Sequence, residues 1–417
     1  MIANIHLCNP ISKHMRTEDY DVVIIGAGPI GSRAGTVLSN KGLRVCILEE
    51  HEEIGRPFQC AGLVNPSAME IVGLNHTILE TIHSAKMHSP SGIDIQIGQP
   101  HKARTYTVCR KKFDQGVAKQ AIDSGAKIYL NSKPLDASVF ENEIRIESQL
   151  NDEVVMIKAK LLIGADGAHS WTRRKFKLGR PKEFMIGYQV EVTGYDTEDG
   201  VLEMYTGKDI APGFFAWAIP TGFGTHRIGM WSTAKLQNGK SSKEMLSNLM
   251  YNSKWSNRFE NCSIVAQYCG PVPSGMVKKP YSERVLLLGD AAGMAKPTTG
   301  GGIGPGFEQI ELAADEIYSA VKKNSLSEKN LKRIAKSWNK LKNDHETARK
   351  LRNLLVSDLT DEELDSHFRE FAKPEIIDLI NTVADIEKPV PIGIALLKKV
   401  PAFRKLALKS SFVYLFG

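Results

Sequence analysis

The chain has 417 residues, enough for two or three domains with cores of their own. Hydrophobic residues make up 42% and charged residues 24%, an ordinary globular balance, and no apolar run reaches the length a membrane span needs. The net charge of +7 is spread along the chain, so no nucleic-acid partner is expected; six cysteines with no CxxC pair and no Cys/His cluster argue against a metal site and for a reducing, cytoplasmic compartment.

Residues 1–17 carry Lys13, His14 and Arg16 but no apolar block of signal-peptide length. They are expected to be a disordered extension, with Met15 an equally good start. Residues 21–25 (Asp-Val-Val-Ile-Ile) form a short β-branched run that reads as a buried parallel strand. The strand feeds Gly26-Ala27-Gly28-Pro29-Ile30-Gly31, a helix over 32–40 that stops near Gly42, and a second strand over 44–48 that ends at Glu49. This βαβ setting turns a weak glycine pattern into a dinucleotide-site signature. Gly26 allows the tight turn, Gly28 lets backbone amides approach a pyrophosphate, and Gly31 lets helix and strand pack closely. The helix N-terminus favours the phosphate charge. Glu49 stands eighteen residues after Gly31, where a carboxylate accepts ribose hydroxyls and disfavours a 2′-phosphate.

Two later segments favour FAD over NAD. Residues 161–170 (Leu-Leu-Ile-Gly-Ala-Asp-Gly-Ala-His-Ser) form an apolar strand ending in glycine-flanked Asp166. Residues 285–290 form another, ending in Gly289-Asp290-Ala291-Ala292-Gly293, and Asp290 at a strand end can accept hydrogen bonds from a flavin's ribityl chain. Gly300-Gly301-Gly302-Ile303-Gly304-Pro305-Gly306 then opens a helix expected over 307–321, with its positive end towards the flavin edge that gains charge on reduction. Pro305 suits a helix's first turn.

In this order the segments resemble the para-hydroxybenzoate-hydroxylase-like FAD superfamily over most of the chain. Cys109-Arg110-Lys111-Lys112-Phe113-Asp114 is similar to its arginine-then-aspartate helix start, which implies that Arg110 reaches towards the flavin. The aromatic hydroxylases of that superfamily carry His where Gly293 stands and a different turn where Gly300 to Ile303 stand. Those residues instead resemble the geranylgeranyl reductase family, which saturates isoprenoid double bonds. Gly55-Arg56-Pro57-Phe58-Gln59-Cys60-Ala61-Gly62 is similar to that family's flavin-side loop, implying that Cys60 and Ala61 contact the cofactor, with Gly302 and Ile303 on its other side. Residues 212–220 are similar to the family's substrate-cavity motif, so Phe215, Trp217, Ile219 and Pro220 are the implied substrate wall. Phe215 replaces the family's Tyr and Ile219 its Phe, which puts the exact substrate in question more than the reaction class. Alternation along Phe215, Trp217 and Ile219 is also what a half-buried strand needs for packing alone.

The resemblance implies an FAD-dependent reductase of polyprenyl (geranylgeranyl) lipid precursors. Cys60 is the candidate catalytic residue. No second dinucleotide turn is evident, so a reduced electron carrier such as ferredoxin is the implied donor, and a basic surface suits an acidic protein. The rival readings are an FAD monooxygenase or halogenase of the same fold, and an electron-transfer flavoprotein without alkene turnover. The expected architecture is α/β: a Rossmann-type FAD-binding domain from 18–70, 100–180 and 270–325, and a mostly antiparallel substrate sheet from 71–99 and 181–269. A helical region over 326–417 ends in a tail with Lys398, Lys399, Arg404, Lys405 and Lys409 and no acid. That tail reads either as a helix docked on the body or as a segment lying on an anionic membrane surface.

Overall fold

The computed structural model describes residues 16–58, 60–151, 153–357, 359–383 and 389–401. The chain opens with β1 (Thr17–Asp19), β2 (Val22–Ile25), α1 (Pro29–Asn40) and β3 (Val45–Leu48). There follow β4 (Leu63–Val64), α2 (Pro66–Val72), β5 (Ile78–Ile82), β6 (Ser84–His88), β7 (Asp94–Gly98), β8 (Thr105–Val108) and α3 (Arg110–Asp123). Next come β9 (Lys127–Tyr129), β10 (Ser132–Val139), β11 (Ile144–Leu150), β12 (Glu153–Ala159), β13 (Leu161–Gly164) and α4 (Trp171–Lys175). A strand-rich stretch holds β14 (Glu183–Thr193), β15 (Val201–Tyr205), β16 (Ala216–Pro220), β17 (Thr225–Thr233), α5 (Ala234–Gln237), α6 (Ser242–Ser247) and β18 (Ser263–Ser274). After β19 (Tyr281–Ser282) and β20 (Val285–Leu287) the chain is helical: α7 (Ile303–Lys322), α8 (Glu328–Ala335), α9 (Asn339–Arg352), α10 (Asp361–Phe371), α11 (Pro374–Val383) and α12 (Pro389–Lys399).

A six-stranded sheet runs β19-β20-β13-β2-β3-β9, parallel throughout except for the β19 edge. Its strands are covered on both faces, which is why Val22–Ile25, Val45–Leu48 and Leu161–Gly164 read as unbroken apolar runs. A seven-stranded sheet, β18-β14-β17-β16-β15-β6-β7, is antiparallel except where β15 meets β6. One of its faces packs on α6 and the residues that follow it, around Leu246, Leu249 and Phe259. A third sheet, β1-β12-β11-β10, flanks the parallel one. The fold is therefore α/β with a Rossmann-type sheet, an antiparallel sheet and C-terminal helices. Thr17, expected in the extension, instead opens β1, which pairs with β12; residues 1–15 lie outside the described residues. So does the tail from 402, with Arg404, Lys405 and Lys409. Just before it, Leu396 and Val400 pack on Ile376, Leu379 and Ile380. Among the described residues no helix is long and apolar enough to cross a membrane.

The C-terminal helices are tied to the sheets by buried charge. Arg352 at the end of α9 donates through Nη2 to Glu183 Oε1 (2.8 Å) and through Nη1 to Glu183 Oε2 (3.0 Å) and the Pro297 carbonyl (2.8 Å). Its guanidinium also stacks over Phe214, 4.4 Å from the ring centre. Removing one member of such a buried pair strands the other charge. Arg352→Leu is expected to cost about 3 kcal/mol in denaturant unfolding, and Arg352→Leu combined with Glu183→Gln should recover much of it. Equal loss in the single and double variants would show that the pair is not the source.

Candidate functional site

The first glycine turn is dictated by backbone approach. Gly26 has φ +98°, and a Cβ on it would lie 2.6 Å from the Ala165 carbonyl oxygen; a Cβ on Gly31 would lie 1.9 Å from that of Gly26. Neither position tolerates a side chain. Gly28 differs: nothing lies within 4 Å of where its Cβ would point, and it is the residue that caps α1. Open space in front of an N-terminus with unpaired amides is a fitting cradle for a pyrophosphate. Glu49, at the end of β3, accepts from the Ala27 amide (2.8 Å) and pairs with His51 Nδ1 (2.6 Å), so its carboxylate stands at the same turn.

The second glycine segment returns to this place. Ile30 supplies the joint: a Cβ on Gly289 would lie 3.0 Å from its Cγ1, and one on Gly306 only 2.3 Å from its Cδ1. Ile30 is thus a packing residue between α1, the 289–293 turn and α7. The helix expected from Phe307 starts four residues earlier, at Ile303, with Gly302 as its cap and Pro305 inside the first turn. A Cβ on Gly302 would meet Asp290 Oδ1 at 2.8 Å, so the carboxylate stands against the helix start. Burial pushes Asp290 up to about 6, against the pull of Arg110 and Arg173. Arg173 donates to the carbonyls of Ala291 (2.8 Å) and Ala168 (2.6 Å), tying the Asp166 segment to this turn. Asp166 itself gives one oxygen to the Thr172 amide (2.8 Å) and hydroxyl (2.9 Å), while its Oδ1 is buried without a partner. The hydroxyls of Thr298 and Thr299, just before the GGGI turn, are likewise buried and unpaired. These orphaned polar atoms and the open cradle at Gly28 fit a long polar cofactor lying between the two glycine segments.

A third element closes the far end. Arg110 begins α3, with its side chain only 14% exposed, and it forks onto Asp114 through Nε (2.9 Å) and Nη2 (2.8 Å). The Cys60 thiol lies near enough to Arg110 to act on its charge, and the Gly62 amide donates to Cys60 Sγ at 3.3 Å. Facing this loop is one side of the seven-stranded sheet. Trp217 packs flat on Gly229, whose Cβ would lie 2.5 Å from the indole, and donates Nε1–H to Gln189 Oε1 (3.2 Å). Gln189 in turn donates to the Cys60 carbonyl (3.4 Å). Phe215 meets Trp217 edge-on at 6.4 Å, and both rings are only partly buried. Ile219 shares this side but is sealed between Ile82 and Leu202. Pro220 does not join them: strand alternation turns it to the opposite face, with Ala216 and Ala218.

The profile of a family described as "FAD binding domain" matches residues 19–310. The chain belongs to this family of FAD-binding proteins. FAD is accordingly its cofactor. The flavoprotein is 30% identical over 387 residues to digeranylgeranylglycerophospholipid reductase 1 of Methanococcoides burtonii, across 87% of this chain and 91% of that protein. Its fold matches a geranylgeranyl bacteriochlorophyll reductase-like protein from Thermoplasma acidophilum with a TM-score of 0.81 at 23% identity, covering 93% of this chain and 98% of the other. It also matches the flavin-dependent brominase Bmp2 at 0.71 and 17%, covering 93% and 100%. Both likenesses concern the fold alone.

Sequence reasoning did not single out Gln189, Arg227 or Arg352. Each is an unremarkable polar residue in its own strand or helix, and only the pairing of distant segments gives it a partner. Two outcomes follow for the flavoprotein. Gly28→Ala is expected to keep wild-type thermal stability but lose FAD, whereas Gly31→Ala should lose about 2 kcal/mol of stability from overpacking; calorimetry with flavin absorbance separates them. For Asp290, FAD hydroxyls donate more strongly to the ionised form. Affinity is therefore full above about pH 6 and falls by up to tenfold per unit below it. Titration of the apoprotein with FAD should show this fall, and Asp290→Asn should flatten it.

Proposed function

We propose that the flavoprotein is a reductase that saturates isolated double bonds of geranylgeranyl chains in membrane-lipid precursors. The observation that carries this reading is the pairing of an apolar aromatic wall, Phe215 and Trp217, with the Cys60 loop that the wall is wired to through Gln189. Such a wall suits a hydrocarbon chain. The reductase name of the Methanococcoides burtonii relative supports the same chemistry.

Bound and reduced, FAD supplies the hydride for one alkene carbon. An isolated alkene develops no oxyanion, so the chain's contribution is positioning and exclusion of water. Phe215 and Trp217 hold the double bond against the cofactor, with Leu63, Ala85 and Met204 continuing the apolar lining. The other carbon takes the proton of the Cys60 thiol. The thiolate left behind is met by the Arg110 guanidinium and the Gly62 amide, and regains its proton from solvent. The cofactor contacts we assign are the backbone at Gly26, Gly28, Ile30 and Gly31, the Glu49 carboxylate, Asp166, Asp290, Gly302, Ile303, Cys60, Ala61 and Arg110. Electrons come from a separate reduced carrier, and contact with a lipid surface delivers the substrate.

The test is anaerobic reduction with dithionite in the presence of a geranylgeranyl lipid, followed by mass spectrometry. A gain of two mass units per double bond supports the reductase. No gain with any prenyl lipid, together with a hydroperoxyflavin on exposure to oxygen, would replace it by the monooxygenase reading. Cys60→Ala should keep its FAD and lower the turnover rate by about 10²-fold, as loss of a general acid does.

A further inference from the structure

Arg227 is a cation in the interior whose position the flavin reading leaves unexplained. It sits on β17, on the same side of the sheet as Gly229 and Trp217, and is 4% exposed. Nη1 donates to the Ala61 carbonyl at 3.0 Å and to the Val108 carbonyl at 3.3 Å. The first belongs to the Cys60 loop. The second ends β8, one residue before the cap of α3 and two before Arg110. The guanidinium also lies over Phe58, 4.7 Å from the ring centre, and Phe58 meets Tyr268 edge-on at 4.8 Å. Its nearest acid, Glu191, stays 3.9 Å from Nε, and Nε makes no hydrogen bond.

A buried guanidinium with one distant counter-charge costs free energy unless its other contacts are well made. Here those contacts are two backbone carbonyls and an aromatic face, all on the segments that carry Cys60 and Arg110. Gly62 leaves room for it: a Cβ there would lie 2.1 Å from Nη1. The loop is thus shaped around the arginine.

We infer that Arg227 is the positioning residue of the flavin-side loop, locking the Cys60 loop to the start of α3 so that the thiol meets Arg110, and adding a second fixed positive charge to the flavin pocket. It acts through Ala61, Val108 and Phe58 and does not itself meet the substrate. This rests on the Cys60 loop lying beside the cofactor, but not on the identity of the substrate. Two consequences are separable. The clamp lays a flat guanidinium over Phe58 while its Nη1 reaches both carbonyls, and a compact ammonium does not reproduce that stacked geometry. The charge needs only a cation.

The experiment uses FAD-loaded protein and no lipid. Cys60 alkylation by iodoacetamide is followed by peptide mass spectrometry, and the flavin midpoint potential by dye-coupled reduction. Arg227→Met fills the volume without burying a charge, so the variant is expected to fold. It should alkylate about tenfold faster at Cys60, the scale of one lost charge-assisted hydrogen bond, and its potential should become more negative because reduced flavin loses a nearby cation. Arg227→Lys should restore the potential while leaving alkylation fast. Wild-type alkylation and potential in both FAD-loaded variants would overturn the proposal. If Arg227→Met fails to fold, wild-type alkylation in Arg227→Lys alone overturns it. Because neither readout involves alkene turnover, absence of reductase activity would leave these results interpretable.

Discussion

The closeness of backbone to backbone at Gly26 and Gly31 is the constraint on which the site depends. With no Cβ at either position, α1 can rise directly from the end of β2 and lie against Ala165 at the end of β13. That places the amides at the start of α1 over the C-terminal edge of the parallel sheet, at the point where neighbouring strands lead off in different directions. It also aims Ile30 sideways. The same side chain then meets Gly289 and Gly306, so the second glycine segment is positioned by the first through one isoleucine. A Cβ at Gly289 or Gly306 would push the 289–293 turn or α7 away from α1, and Asp290 with it.

The second support comes from charge. Arg352 reaches from α9 to Glu183 at the start of β14 and to the Pro297 carbonyl just ahead of the GGGI turn. Arg349 works beside it, donating to Ser274 Oγ at 3.1 Å and Glu346 Oε1 at 2.6 Å. Together they pin the two chain segments that pass between the parallel sheet and the seven-stranded sheet. The C-terminal helices are therefore part of how the glycine loop is held, and not an appendage. Buried ion pairs are poor sources of net stability, but they are strict about geometry, since any misplacement leaves a charge without its partner. A loop rich in glycine has little intrinsic preference for one shape. The arginines supply what the glycines lack.

What was legible in the sequence follows the range of the interaction. The first turn, its strands and its helix are written within thirty residues, in glycine spacing and β-branched runs, although Gly26 also closes on the distant Ala165. The onset of α7 lies four residues ahead of the expected one because Gly304, Pro305 and Gly306 look like a loop by propensity. In the fold Pro305 occupies the first turn, where a missing amide costs nothing, and Gly306 is needed for Ile30 to fit. Pro220 was grouped with Trp217 and Ile219 by its place in a motif, yet the two-residue period of β16 sends it to the other face. Gln189 and Arg227 carried no signal of their own: a glutamine and an arginine in long strands are commonplace. Their meaning comes from the register that sets β14 against β17, Gln189 opposite Gly229 and Glu191 opposite Arg227.

That register also accounts for an asymmetry across the site. On one side lies the glycine and carboxylate chemistry of a polar cofactor, on the other an aromatic wall, and the loop holding Cys60 is the hinge between them. Were the loop held only by its own turns, the thiol would sample many positions, since the described residues among 51–62 contain no regular helix or strand. Instead it is gripped from the sheet at two points, by Gln189 on the Cys60 carbonyl and Arg227 on the Ala61 carbonyl. Both grips are on main-chain atoms. The loop's path is therefore set by the sheet regardless of which side chain stands at position 60, and the wall and the thiol are fixed relative to one another by one rigid body. A hydrocarbon substrate provides few directional contacts by which to orient itself. The protein must therefore carry the alignment in its own frame, and the linkage from Trp217 through Gln189 to Cys60 is a path by which this frame can do so.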